Sequence, residues 1–152
     1  MKISIVSLNE IPSVKEIAIT YCSENWPKVQ NTFTRNLDES LITKDKLPLT
    51  YLLMKDSEII GFYQLVKKEN IKNMNHLSPW LDCLFIDKNE RGKALGAMLL
   101  EHGRKTAKFF GYDKVYLTTD HIAFYEKYGF KEIGLDITLS GRPTKVYEKA
   151  TS

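Results

Sequence analysis

At 152 residues with 43% hydrophobic content, the chain can bury a core and is short for two independent domains, so one domain over residues 1–150 is expected. A net charge of +3, with Lys67, Lys68 and Lys72 interrupted by Glu69 and Asn73, provides no basic stripe for nucleic acid, and no apolar run reaches membrane length. Cys22 and Cys83 sit in separate apolar stretches without metal or redox spacing, which reads as two buried thiols in a reducing compartment; Met1–Val6 lacks the apolar core of a leader, so a cytoplasmic location is expected.

In chain order, Lys2 to Val6 alternates as a strand. Ile11, Val14, Ile17 and Ala18 then recur at helical spacing, with Asn9 or Ser13 as the cap. Trp26-Pro27 opens a second helix that carries Val29, Phe33, Leu37 and Leu41 on one face. Pro48 to Lys55 and Glu58 to Val66 are β-like runs joined by an Asp56-Ser57 hairpin turn, and Asn70 to Ser78 is a polar loop. Because Pro79 cannot sit inside a central strand, the next strand starts at Trp80 and runs to Ile86. A helix with Leu95, Met98, Leu99 and His102 on one face follows and stops at Gly111; His102 on that face reads as a packed residue rather than a base. Lys114 to Thr118 is a strand, Ile122 to Tyr128 a short helix, Lys131 to Leu139 a strand, and Ser140 to Pro143 a turn into Thr144 to Glu148. The order β-α-α-β-β-β-α-β-α-β-β specifies a mixed α/β (α+β) fold, with a central sheet of about six to seven strands flanked by about four helices.

The most informative segment is Leu81 to Ala97, an apolar strand that runs through a short polar loop into a helix with Gly92 and Gly96 at its start. The first backbone N–H groups of a helix have no intrahelical partner and lie at the positive end of its dipole, so this junction suits a phosphate. Gly92 and Gly96 admit a close approach, and Arg91 and Lys93 add charge. A P-loop is excluded, since Gly92-Lys93 is followed by Ala94 and Asp87 stands where its first glycine belongs. A dinucleotide fold would place its glycines in the first βα unit rather than past the middle of the chain.

Arg91-x-x-Ala94-x-Gly96 resembles the pyrophosphate signature of the GCN5-related N-acetyltransferases (GNAT), with Ala94 at the first glycine. Ala123-Phe-Tyr-Glu-Lys-Tyr-Gly-Phe130 resembles the same family's Phe-Tyr-Glu-Lys-hydrophobic-Gly-Phe block. Two blocks in the right order are more specific than either alone. The resemblance implies the GNAT fold and acetyl-CoA as cosubstrate without a metal. It also implies pyrophosphate at Arg91, Gly92, Lys93, Ala94, Leu95, Gly96 and Ala97, and pantetheine along Leu84, Phe85 and Ile86. Tyr125 is implied as the proton donor to the leaving thiolate, with Tyr128 as its alternative. Relatives often carry an asparagine before this last helix; here Thr119 or His121 would substitute. Trp80, in Ser78-Pro-Trp-Leu81, is implied to shape the acceptor pocket.

Acetyl transfer to an amine requires deprotonation of a group whose reference pKa is about 10.4 for lysine and about 7.7 to 8.0 for an α-amino group. A backbone N–H on Leu84 to Ile86 would stabilise charge on the thioester oxygen, and a tyrosine still protonated at neutral pH suits the acid role. Strand alternation places Trp80, Asp82, Leu84 and Ile86 on one face. Asp82 therefore either faces the acceptor as general base or faces solvent and pairs with a lysine; His76, Asp120 and His121 are lesser base candidates. The expected function is direct acetyl transfer from acetyl-CoA to a primary amine of a small molecule or peptide N-terminus. An acetyl-CoA-binding module without turnover and a nonenzymatic interaction domain are the alternatives. A homodimer is admissible, and no sequence feature identifies the acceptor.

Overall fold

In a computed structural model of the chain, residues 1–44, 46–119 and 124–152 are described. They form two compact units, residues 1–65 with 83–99 and residues 66–82 with 100–152. Among the described residues are seven strands and three α-helices in a mixed α/β arrangement.

In the first unit β1 (Ile3–Ser7), β2 (Leu49–Lys55), β3 (Glu58–Val66) and the second half of β4 (Trp80–Ile86), from Cys83 on, are neighbours in that order, β1 and β3 each antiparallel to β2. The β2–β3 turn forms at Asp56, which takes φ +56°, one of the left-handed positions that aspartate tolerates. Helices α1 (Lys15–Asn25) and α2 (Gln30–Thr43) supply the apolar side chains: Ala18, Cys22, Phe33 and Leu37 pack with Leu8, Leu52, Phe62 and Cys83. The helical stripe of α2 matches its periodicity. That of α1 is narrower, since Ile17 is 61% exposed. Neither Asn9 nor Ser13 caps α1, because a 3₁₀ turn at Pro12–Val14 leads straight into it; Ser7 instead accepts from the Asn9 N–H. Polar groups buried here are paired. Gln64 donates to the Phe33 carbonyl and to Thr50 while accepting from Asn36.

In the second unit the neighbours are β4, β5 (Lys114–Thr119), β7 (Pro143–Ala150) and β6 (Lys131–Ile137). β7 is antiparallel to both β5 and β6, whereas β4 runs parallel to β5 with Trp80 opposite Tyr116. Val66, Ile71, Trp80, Tyr116 and Val146 form its apolar cluster. The loop before β4 is more ordered than its polarity suggests. Ile71 is buried and bridges Thr138, and the Asp136 carboxylate accepts from the backbone N–H groups of Asn73 and Met74. A unit boundary also falls within α3 (Leu95–Phe109), whose buried positions are Leu95, Leu99, Leu100, Gly103 and Ala107. Met98, expected on the apolar face, is 41% exposed.

Candidate active site

The strand-to-helix junction lies in the first unit. α3 begins at Leu95, so Gly92 precedes the helix and only Gly96 belongs to its first turn, not both glycines. Ala94 is the last non-helical residue: its carbonyl accepts the first helical hydrogen bond, from the Met98 N–H at 3.2 Å, and its φ is +61°. It does not have the helical dihedrals under which an alanine methyl would be harmless. An alanine cap has no side-chain oxygen to offer the N–H groups of Leu95, Gly96 and Ala97, which the helix itself leaves without partners. Donors of this kind suit an anion, and Gly92 at φ +84° curves the chain into the turn, with open space where its Cβ would stand.

The flanking loop is held rigidly. Asp87 accepts from the Asn89 N–H at 3.0 Å and from the Tyr21 hydroxyl at 2.9 Å, and its own N–H donates to the Ile60 carbonyl. Burial first, and then this bond to Asp87, push the Tyr21 phenol far above its ordinary value. Arg91 donates through Nε to the Ile86 carbonyl at 3.0 Å and lies 5.6 Å from the centre of the Phe85 ring, which fixes its stem while leaving the guanidinium edge accessible. Lys93 pairs with Glu90 at 2.9 Å, and Glu90 also meets Lys55 at 3.2 Å. The residues of this turn therefore fit a pyrophosphate: the N–H donors of a helix start, two cations and no acidic residue in the first helical turn.

β4 departs from simple alternation. Cys83 takes φ +50° inside the strand, a conformation that interrupts the period of two, so Trp80, Asp82, Leu84 and Ile86 do not share one continuous face. Cys83 is buried in the first unit's core, with Phe85 packed against that core, while Leu84 and Ile86 are half-buried. Trp80 is the residue expected to shape an acceptor pocket. It is fully buried in the second unit, packed 5.3 Å from the Tyr116 ring, and its Nε1 donates to the Leu77 carbonyl at 2.6 Å. Burying an indole whose only donor is satisfied locally makes it core.

In the second unit, Tyr125 lies on a 3₁₀ turn, Tyr125–Tyr128, closed by Gly129 at φ +86°. The expected helix from Ile122 to Tyr128 lies partly outside the described residues, as do Asp120 and His121. Burial raises the Tyr125 phenol pKa, which a hydrogen bond with Thr119 partly offsets. Thr119, 8% exposed, is thus engaged with the tyrosine. Tyr128 contacts the Phe124 ring, and its carbonyl accepts from Lys149. His102 is half-buried, its pKa lowered by that burial, and Thr106 lies within hydrogen-bonding reach. His76 is exposed beside the Asn73 carbonyl.

Sequence reasoning missed Glu69. It is 9% exposed, between exposed Lys67, Lys68 and Asn70, where a run of charge reads as a solvated edge. Its carboxylate accepts from the Asn70 N–H at 2.9 Å and the Thr118 hydroxyl at 3.4 Å. Burial first, and then the charge of Asp82, push its pKa up to about 8. Among the described residues no cluster of three or more His, Cys, Asp or Glu is arranged to hold a metal, and no helix is long and apolar enough to cross a membrane.

Residues 48–132 match the description "Acetyltransferase (GNAT) domain". The chain belongs to the GNAT acetyltransferase family. Over 109 residues, 70% of its length, it is 29% identical to the peptidyl-lysine N-acetyltransferase YjaB of Salmonella typhimurium, and the match spans 66% of that relative. Solved GNAT folds superpose along nearly the whole chain. An aminoglycoside 6'-N-acetyltransferase complexed with coenzyme A gives a TM-score of 0.73 at 18% identity, covering 100% of this chain and 98% of that one. The aminoglycoside 6'-N-acetyltransferase from Enterococcus faecium gives 0.72 at 19%, with the same coverage. A GNAT acetyltransferase from Staphylococcus aureus Mu50 gives 0.68 at 22%, covering 99% and 100%. At these identities the likeness is one of fold.

Proposed function

We propose that this GNAT chain transfers acetyl directly from acetyl-CoA to a primary amine of a small molecule or peptide, in the cytoplasm. The observation that carries the reading is the start of α3, where a left-handed Ala94 without a capping side-chain oxygen and the Arg91 and Lys93 cations, within the matched family segment, suit an anion. Arg91 to Ala97 would hold the pyrophosphate, and backbone along Leu84 to Ile86 the pantetheine arm. Acetyl-CoA supplies an activated acyl group on a good leaving thiol. Tyr125 is suited to protonate that leaving sulfur, because burial keeps its phenol neutral at physiological pH. The named relatives act on peptidyl lysine and on aminoglycosides, so amines of both kinds belong in the first screen.

Gly96→Asp tests the cradle. A carboxylate in the first helical turn favours the helix dipole, so the fold should persist, while its charge and bulk oppose phosphate. Calorimetry should show coenzyme A affinity falling by about tenfold or more, the equivalent of about 1.4 kcal/mol. Undiminished affinity with the fold intact would move the binding site elsewhere.

A further inference from the structure

Two consecutive residues of β5 each hold a group suited to move a proton. Thr118 donates its hydroxyl to the Glu69 carboxylate, and Thr119 hydrogen-bonds Tyr125. Successive residues of a strand point to opposite sides of it, so the carboxylate and the phenol are anchored one residue apart on opposite sides of β5. Trp80 stands opposite Tyr116 in parallel strands, so Asp82 and Thr118, each two residues further on, reach the same level. Glu69 is thus faced by Asp82 from β4, by Thr118 from β5, and by the N–H of Asn70 from its own segment.

The geometry points to Glu69, rather than Asp82, as the catalytic residue that takes the proton from the acceptor ammonium, with Thr118 orienting its carboxylate and Asp82 tuning its basicity. This inference rests on the acetyltransferase reading. A carboxylate this buried, in the chain between the cluster residues Val66 and Ile71, is costly to keep ionised, and it is a far better proton acceptor than a solvated one. Burial and Asp82 push it up to about 8, within reach of an alkylammonium. An acceptor arriving as a cation stabilises the ionised form. Glu69 then takes one proton, and the freed nitrogen lone pair forms the N–C bond as the C–S bond breaks. Tyr125 gives its phenol proton to the departing sulfur. Of the two protons the nitrogen loses, one leaves through Glu69 to solvent and the other replaces the one Tyr125 donated.

The test is the pH profile of kcat/KM for Glu69→Gln, using acetyl-CoA with whichever of Nα-acetyl-lysine, spermidine or kanamycin the unaltered chain acetylates fastest. The unaltered chain should show a limb that rises with pH towards about pH 8, since the free enzyme must ionise Glu69 to act. Glu69→Gln should lose that limb and about a hundredfold or more in kcat, while coenzyme A affinity by calorimetry stays unchanged. Thr118→Val, which removes the bond favouring the carboxylate, should move the limb to higher pH, and Asp82→Asn, which removes the opposing charge, to lower pH. Opposite displacements are not produced by a merely structural role, and they decide the matter even if Glu69→Gln fails to fold. An intact limb in Glu69→Gln, or limbs unmoved in the other two variants, overturns the inference. A chain that binds coenzyme A but acetylates none of the amines instead sinks the acetyltransferase reading, and this inference with it.

Discussion

Ala94 occupies the one position of the anion cradle where the side chain conflicts with the backbone. At φ +61° its methyl crowds the following carbonyl, at a cost of about 1 kcal/mol, and as a helix cap alanine is among the poorest choices. Ala94→Gly should therefore raise the unfolding free energy by about 1 kcal/mol in urea titrations and leave coenzyme A affinity equal or tighter. Weaker binding would show that the methyl contacts the ligand. Tyr125→Phe removes only a hydroxyl, so the ring keeps its contacts with Phe124, Phe130 and Tyr147. Single-turnover kcat should drop by about a hundredfold with the acetyl-CoA KM nearly unchanged, and a kcat that hardly moves would shift the acid role to Tyr128 or water. The Arg91 to Gly96 spacing was legible because glycine and charge are written directly into the sequence. The left-handed turn at Ala94 was not, since an alanine there reads as an ordinary helix former. Glu69 was hidden for a different reason: Asp82 of β4 and Thr118 of β5, which act on it, are distant in sequence, and its neighbours Lys67 and Lys68 suggested solvent.

β4 shows how an element can be located correctly and its facing misjudged. Pro79 and the apolar run fixed its limits at Trp80 and Ile86, but period-two reasoning presumes an unbroken strand, and Cys83 breaks it. Its neighbour β3 makes a correspondingly tight contact. A Cβ built on Gly61 would lie 2.6 Å from the Phe85 carbonyl oxygen, with the Ile86 and Leu53 side chains at 3.4 Å. The obstacle is backbone, so no rotamer change relieves it. Gly61→Ala should push Phe85 away from β3 and cost about 1–3 kcal/mol by chemical denaturation. A shift under half of that would mean the strands separate easily there. The caps of α1 were missed for a comparable reason, because the 3₁₀ turn at Pro12–Val14 replaces a side-chain cap with a tightened entry into the helix.

For the molecule as a whole, the buried Glu69 carboxyl makes stability fall as pH rises. Glu69 has a folded pKa of about 8, above the unfolded reference of about 4.3, so its contribution is fully present at low pH and is lost as pH rises through the folded value. Melting temperatures should fall more steeply from about pH 5 to about pH 8 in the unaltered chain than in Glu69→Gln, and run parallel above that window. Equal slopes would mean that the carboxylate is better solvated than its burial indicates. Element order, strand positions and the mixed fold class were recoverable from periodicity and turn residues, which are local. The division into two units was not, because each combines stretches separated in sequence and the breaks fall inside β3, β4 and α3. That division has a practical consequence for the thiols. Both cysteines, Cys22 and Cys83, lie in the first unit; they are reduced and buried, and Cys22 is pushed up to about 11 by its burial. A thiol reagent therefore has no fast target in the folded chain and none at all in the second unit, so its rate of uptake times the transient opening of the first unit alone, without any label having to be introduced.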